Sequence, residues 1–168
     1  RSSALPEIDY FLGDRYVTPR GGPEPYSEHV VRLPTFTIHT IPAEADTPGP
    51  LPALASGRVA FGSFNAPQKL SDDCLDCWAA ILNAVPNSQL RLKHFEAYSE
   101  AATRQRVIER LAAGGVSAER ITILDSVDLR SQHLGAYDGV DFALDPFPFS
   151  GATTTFEALL MGVPVISL

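Results

Sequence analysis

The segment Gly151-Ala-Thr-Thr-Thr-Phe-Glu157 gathers three hydroxyls and one carboxylate into the opening turns of a helix. The apolar run Val140-Asp-Phe-Ala-Leu144 leads into it through the turn residues Pro146, Pro148, Ser150 and Gly151. Phe156, Leu159 and Leu160 share one face of the helix, and Gly162 followed by Pro164 stops it. Thr153, Thr154 and Thr155 therefore stand at a helix N-terminus just beyond the carboxyl end of a strand. Free backbone N–H groups, the positive end of the helix dipole and the hydroxyl donors converge there, which suits an anion, above all a phosphate. Glu157 falls one turn after Thr153, where a carboxylate can accept hydrogen bonds from ribose hydroxyls. The plainer alternative is a core helix whose threonines serve as N-caps.

Three more side chains belong to the same chemistry if they reach the same place. Lys69 lies in a loop near a helix start, where an ammonium can meet a diphosphate or can simply be solvated. His133, inside a short helix, can stack on a base or bond a ribose, or can be structural. Arg130, one turn earlier, has the same two readings.

The elements that must position these residues are regular from Val59 onward. Val59-Ala-Phe-Gly-Ser-Phe-Asn65 reads as a buried strand, and 66–70 as the loop after it. Ser71 caps a helix in which Leu75, Trp78, Leu82 and Val85 recur every three or four residues, ended by Pro86 and Asn87. Leu90-Arg-Leu-Lys-His-Phe95 is a strand with a more polar face. Ser99 opens a helix stopped by Gly114 and Gly115, and Arg120-Ile-Thr-Ile-Leu-Asp125 is the next strand. A shorter helix from about Leu129 to Tyr137, capped by Asp128, precedes the strand, loop, helix and strand already described. Strict alternation implies βαβ units, right-handed crossovers and a parallel sheet. The expected fold is α/β and Rossmann-like, with five strands and four helices over 59–168. Ligands of such sheets bind at the carboxyl ends of the strands, where Lys69 and the threonines lie.

Residues 1–58 lack that regularity. Ile8-Asp-Tyr-Phe-Leu-Gly13 reads as a short strand and Tyr26-Ser-Glu-His-Val-Val-Arg-Leu33 as a short helix capped by Ser27. Thr35-Phe-Thr-Ile-His-Thr-Ile41 alternates as an extended segment does. Pro42, Pro48, Pro50 and Pro52 mark 42–57 as a linker and boundary. His29 and His39 have no carboxylate or cysteine partner in view and read as structural.

Composition narrows the classes. At 168 residues and 45% hydrophobic content the chain can bury a core, and it contains no apolar run long enough to span a membrane. Its first residues hold no apolar stretch of the signal-peptide kind. A net charge of −7 with scattered basic residues argues against a nucleic-acid surface. Cys74 and Cys77 form a lone C-x-x-C in an acidic context, which reads as packing rather than zinc or redox chemistry. No G-x-G-x-x-G, P-loop, H-E-x-x-H or G-x-S-x-G motif occurs. The chain stops at an apolar strand that wants a covering helix, so the expectation is part of a longer protein.

Taken together, Phe61-Gly-Ser-Phe-Asn-Ala-Pro-Gln-Lys-Leu70, Trp78, Val85-Pro-Asn87, Arg120-Ile-Thr-Ile123, His133 and Ser150-Gly-Ala-Thr-Thr-Thr-Phe-Glu-Ala-Leu-Leu-Met-Gly-Val-Pro-Val165 resemble one family. It is the O-linked N-acetylglucosamine transferase and SPINDLY-like group of GT-B glycosyltransferases, glycosyltransferase family 41, in its bacterial form. The segments 8–19 and 26–34 resemble the passage from that family's first lobe into its second, donor-binding lobe. The resemblance implies that Lys69 contacts the diphosphate and that Thr153, Thr154 and Thr155 form the phosphate-binding helix start. It further implies that Glu157 binds the ribose, that His133 packs against the nucleotide, and that Arg130 is the basic residue beside it. The implied parent enzyme is cytoplasmic, carries tetratricopeptide repeats, and moves N-acetylglucosamine from a uridine-diphosphate donor to Ser or Thr of a protein acceptor with inversion. It needs no metal or other cofactor, and neither nucleic acid nor membrane is a partner. Ala66, Ala152 and Ala136 depart from the glutamine, histidine and arginine of the animal enzymes. A guanosine-diphosphate-fucose donor, or a non-catalytic nucleotide-sugar module, therefore remains open. The family's catalytic histidine region belongs to the first lobe, outside this chain.

Overall fold

The computed structural model describes residues 2–35, 41–43, 45 and 47–168. The chain divides into two compact units, Arg1–Thr40 and Ile41–Leu168. The extended reading of 35–41, with His39, lies almost wholly outside the described residues. Among the described residues no helix is long and apolar enough to cross a membrane.

In the first unit β1 (Tyr10–Gly13) pairs in parallel with β2 (His29–Arg32), Phe11 beside Val30 and Leu12 beside Val31. The helix expected over 26–33 is thus a strand. The β-branched Val30 and Val31 fit a paired strand, and β1 supplies the partner that decides. Ser27 is accordingly no helix cap, and its hydroxyl lies 2.8 Å from that of Ser2. Asp14 turns the connection by accepting from the Tyr16 and Val17 amides at 2.8 Å each. The buried Glu28 carboxylate accepts from the Ser3 amide and from both the Ser2 and Ser3 hydroxyls. Those bonds, from Ser3 first and Ser2 next, hold the Glu28 carboxyl down to about 2 from an ordinary 4.5.

The second unit is built on five parallel strands in the order β5-β4-β3-β6-β7: β3 (Ala60–Ser63), β4 (Gln89–Leu92), β5 (Ile121–Ile123), β6 (Phe142–Leu144) and β7 (Val165–Ile166). This is the expected Rossmann-like α/β sheet. Helices α2 (Asp72–Ala84) and α3 (Ala101–Ala113) pack together over one face, where Trp78, Leu82, Val107 and Leu111 join Phe61, Leu90, Leu92 and Leu144. The second core joins Ala143 of β6 to Leu134 of α4 (Arg130–Gly135), Ala158 of α5 (Thr153–Leu160), Phe64, Tyr137 and Val140. On that side a Cβ at Gly62 would meet Val140 Cγ2 at 2.6 Å, so only glycine lets β3 approach so closely.

Several boundaries differ from expectation. The stretch 42–57 holds a short helix, α1 (Pro52–Ser56), whose Ala53 amide donates to Asp141 at 3.0 Å. Buried Asp141 also accepts from the Ala60 amide at 2.8 Å, so one carboxylate holds α1 beside the start of β3. Ser71 caps α2 as expected, accepting from the Cys74 amide at 3.2 Å. Glu100 rather than Ser99 precedes α3, and Leu129 rather than Asp128 precedes α4, which has no side-chain cap. Cys74 is buried among core residues and its thiol is pushed up mainly by that burial, which agrees with a packing role.

Arg120, at the start of β5, closes the far end of α2. Its guanidinium donates to the Leu82, Val85 and Ser88 carbonyls at 2.6, 3.2 and 2.8 Å and to the Ser88 hydroxyl at 2.8 Å. Leu82 and Val85 lie in the last turn and cap of α2, where carbonyls lack an amide four residues on, and Ser88 leads from there into β4. Replacing Arg120 by Met should lower stability by about 1–3 kcal/mol, the range for stranded acceptors, read from urea unfolding. In the first unit, the depressed Glu28 carboxyl stabilises fully above its unfolded value, and that contribution is lost as pH falls towards about 2. The Ser3 amide followed by NMR through an acid titration should therefore lose its Glu28 bond near that lower value, and should lack the transition in Glu28→Gln.

Candidate functional site

The strand order reverses at β3, which has β4 on one side and β6 on the other. The loops leaving β3 and β6 therefore part at the carboxyl edge and open a crevice between them. Two contacts tie the loops together. Lys69, in the turn after β3, donates through Nζ to the Ser150 carbonyl at 3.0 Å and sits 4.8 Å from the centre of the Phe149 ring. The Ser71 hydroxyl donates to the Phe147 carbonyl at 3.1 Å. Arg106 of α3 braces the turn from behind, donating to the Pro67 and Leu70 carbonyls at 3.2 and 3.0 Å.

The loop after β6 is closed by its own acid. Asp145, 6% exposed, accepts from the Gly151 amide at 2.7 Å and from the Ser167 hydroxyl at 3.0 Å. The chain can pass there only because Gly151 has no side chain. A Cβ would lie 2.8 Å from Asp145 Oδ1 and from both the Thr154 and Thr155 Oγ1 atoms.

Helix α5 starts at Ala152 with no side-chain cap, so the threonines do not serve as N-caps. They divide by direction. Thr153 and Thr154 border an open cavity of about 500 Å³, whose wall also includes Glu157, Arg130, His133 and Phe95. Thr154 donates to Asn65 Oδ1 at 3.0 Å and its carbonyl accepts from the Tyr137 hydroxyl at 3.1 Å, which fixes the helix start against β3 and α4. Thr155 instead borders a small polar space with Ser63, Asn65 and Asp145, and its buried hydroxyl has no partner. Lys69 lies outside the cavity wall, at the loop junction. Arg130 is exposed at its rim.

His133 and Glu157 face each other across the cavity floor, Nε2 to Oε2, at 3.1 Å, with side chains 14% and 13% exposed. Phe95 lies parallel to the His133 ring within 3°, centroids 6.2 Å apart, while Phe64 and Tyr137 flank it at 6.0 Å. Behind His133, Lys93 Nζ lies 3.0 Å from Nδ1. Lys93 is 2% exposed, a position lysine rarely occupies. Burial pushes its ammonium down, against the pull of Glu157. His94 is pushed down by burial and then by His133, Lys69 and Lys93. The Tyr137 hydroxyl is pushed up by burial and by Glu157. Lys69, Lys93 and Arg130 bring cations to the crevice; of its carboxylates Asp145 and Glu157 are engaged, and Asp128 borders the cavity beside Arg130.

Of the residues singled out from sequence, the structure gathers Thr153, Thr154, Glu157, His133 and Arg130 round one cavity, with Lys69 at its neighbouring loop and Thr155 turned inward. Lys93, His94, Phe95, Asn65 and Asp145 were missed. The last two end strands, a position that itself directs side chains at the crevice. Lys93 follows Leu92 at the carboxyl end of β4, which is the one local sign it gave.

Residues 51–168 match the model of glycosyl transferase family 41. Over 168 residues the chain is 39% identical to a tomato (Solanum lycopersicum) protein named probable UDP-N-acetylglucosamine–peptide N-acetylglucosaminyltransferase SPINDLY. That match takes in 99% of this chain and 18% of the tomato protein. A Caenorhabditis elegans UDP-N-acetylglucosamine–peptide N-acetylglucosaminyltransferase is 30% identical over 115 residues, 68% of this chain and 10% of its own. The solved structure of a mutant Thermobaculum terrenum O-GlcNAc transferase superposes with a TM-score of 0.82 at 37% identity, covering 95% of this chain and 30% of that one. The chain thus spans under a fifth of the first of these relatives.

Because Asp145 holds both ends of its loop, Asp145→Ala should free the Gly151 amide. Hydrogen exchange at Gly151 should accelerate by about one to two orders of magnitude while the β3 and β4 amides keep their protection, as expected from losing about 1–3 kcal/mol locally.

Proposed function

The chain belongs to glycosyl transferase family 41, and from that premise we propose that it carries the nucleotide-diphosphate site of a protein O-glycosyltransferase. The whole protein transfers N-acetylglucosamine from a uridine-diphosphate donor to Ser or Thr hydroxyls of a protein, with inversion at the sugar carbon. The observation that carries this reading is the uncapped start of α5 opening on the same cavity as the His133–Glu157 pair, with the Lys69 ammonium held at the adjoining loop.

Breaking the sugar–phosphate bond leaves charge on a diphosphate, and the barrier falls if that charge meets oriented donors. The Thr153 hydroxyl and the first amides of α5, that of Thr154 among them, supply the donors, since the Thr154 hydroxyl is spent on Asn65. Lys69 has three N–H donors and spends one on Ser150, so two remain for phosphate oxygens. Glu157 gives one oxygen to His133 and keeps the other for a ribose hydroxyl. His133, Phe95 and Arg130 receive the base by stacking and charge. Thr155 takes no part in phosphate contact here and instead supports the helix start from inside. No step in this reading needs a metal, the acceptor is protein, and the compartment is the cytoplasm. Neither nucleic acid nor membrane is a partner.

Ala66 and Ala136, which depart from the glutamine and arginine of the animal enzymes, leave guanosine-diphosphate fucose as the second reading of the donor.

Calorimetric titration with UDP should give saturable binding that Lys69→Ala weakens by about 1–3 kcal/mol, the range for a lost charge-assisted contact. Stronger binding of GDP than of UDP would move the assignment to the second reading. Failure of a folded chain to bind either nucleotide would remove the site.

A further inference from the structure

We propose that Lys93 is a positioning residue for this cavity: by donating to Nδ1 it holds His133 in the Nε2–H form that Glu157 requires and, through that ring, holds the Glu157 carboxylate. The relation to a donor nucleotide rests on the reading above. The tautomer itself does not.

The argument is one of donors and acceptors. A carboxylate only accepts, so the 3.1 Å contact between His133 Nε2 and Glu157 Oε2 requires the imidazole proton on Nε2. A neutral imidazole then offers a lone pair at Nδ1, and an ammonium only donates. Lys93 Nζ, 3.0 Å from Nδ1, supplies that donor. The three groups form one directed chain from β4 through α4 to α5, with a cation at one end and an anion at the other. Moving the proton to Nδ1 would set two donors against each other at Lys93 and two acceptors at Glu157, and turning the ring over would put carbon atoms opposite both. Only one orientation satisfies both ends.

Burial makes the chain selective. Lys93 is 2% exposed and Glu157 and His133 are nearly enclosed, so water cannot readily replace a lost partner. Burial pushes the Lys93 ammonium down, and the Glu157 charge reached through the imidazole opposes that push. The parallel Phe95 ring and the flanking Phe64 and Tyr137 hold the plane of His133 but cannot choose between its nitrogens. Glu157 selects the proton on Nε2, and Lys93 holds the ring there by donating to the bare Nδ1. As a result Glu157 presents a fixed Oε1 to the cavity, and the His133 face stays aligned with Phe95.

The test uses long-range nitrogen–proton NMR correlations of the His133 imidazole in the unliganded chain near neutral pH. The expected result is a protonated Nε2 and a bare Nδ1. Lys93→Met should keep the Nε2 proton but move the Nδ1 resonance to that of an acceptor without a donor, with the backbone spectrum otherwise retained, and Lys93→Arg should move it back. A parallel UDP titration should show Lys93→Met weaker by about tenfold, the worth of one lost oriented hydrogen bond, with Lys93→Arg intermediate. A proton on Nδ1 in the unsubstituted chain overturns the proposal even if Lys93→Met does not fold. So does an unchanged Nδ1 resonance in folded Lys93→Met. If the Nδ1 resonance follows Lys93 while UDP does not bind, the positioning role stands and the nucleotide reading falls.

Discussion

Five strands that all run one way can be joined only by connections that climb back across the faces of the sheet. Every strand therefore delivers its carboxyl end to the same edge, and the helices are forced into two layers. β3 enters first and takes the centre; β4 and β5 extend one side, and the chain must then cross to lay β6 and β7 on the other. The loops after β3 and β6 leave towards opposite layers, and the gap between them is an outcome of strand order. The contacts that matter at the site span this gap: Thr154 with Asn65, Lys69 with Ser150, and Ser71 with Phe147. Changing the loops would alter what the crevice binds, while its place would remain.

A chain of net charge −7 keeps a locally cationic pocket by arranging which acids are spent. Asp145 is consumed by the Gly151 amide and the Ser167 hydroxyl, and Glu157 gives one oxygen to His133. Lys69, Lys93 and Arg130 are brought close there, with Asp128 as a further acid at the cavity wall. Burial lowers the Lys93 ammonium against the pull of Glu157, and at His94 the neighbouring His133, Lys69 and Lys93 add to the effect of burial. An anion entering the cavity reverses the sign of the crowding. Acidic residues elsewhere, such as Asp72 and Asp76 facing Arg106 and Arg110 on α3, are paired in solvent and leave the pocket field largely untouched.

What was legible in the sequence follows from how local each signal is. Ser71 before α2 and Gly162 after α5 mark helix ends through contacts made within a turn, so the positions of Lys69 and the threonines could be read directly. The division among those threonines could not. Which hydroxyl faces the cavity depends on the rotational setting of α5, and Tyr137 and Asn65 set it from distant parts of the chain. The short strand β2 was misread because eight residues between prolines carry too little periodicity, and its partner β1 supplies the pairing that decides. Lys93 was the largest omission. A lysine at a strand end looks solvated until α4 and α5 are packed over it.

The two layers of the sheet answer different demands. Leu90 and Leu92 of β4 meet Trp78, Leu82 and Leu111 in a continuous apolar core, where burial drives folding without needing directed contacts. On the other layer the core is smaller, and towards the carboxyl edge it gives way to Lys93, His133 and Glu157. An apolar residue at 93 would cost less to bury than an ammonium. It would also leave α4 and α5 free to settle in any arrangement that fills the volume. A buried chain of directed hydrogen bonds accepts one arrangement only, because a misplaced His133 strands both Lys93 and Glu157 and a misplaced end strands His133. The apolar layer thus supplies stability that the polar end can draw upon, and the polar end turns that surplus into a fixed geometry where α4, α5 and the β3 loop converge.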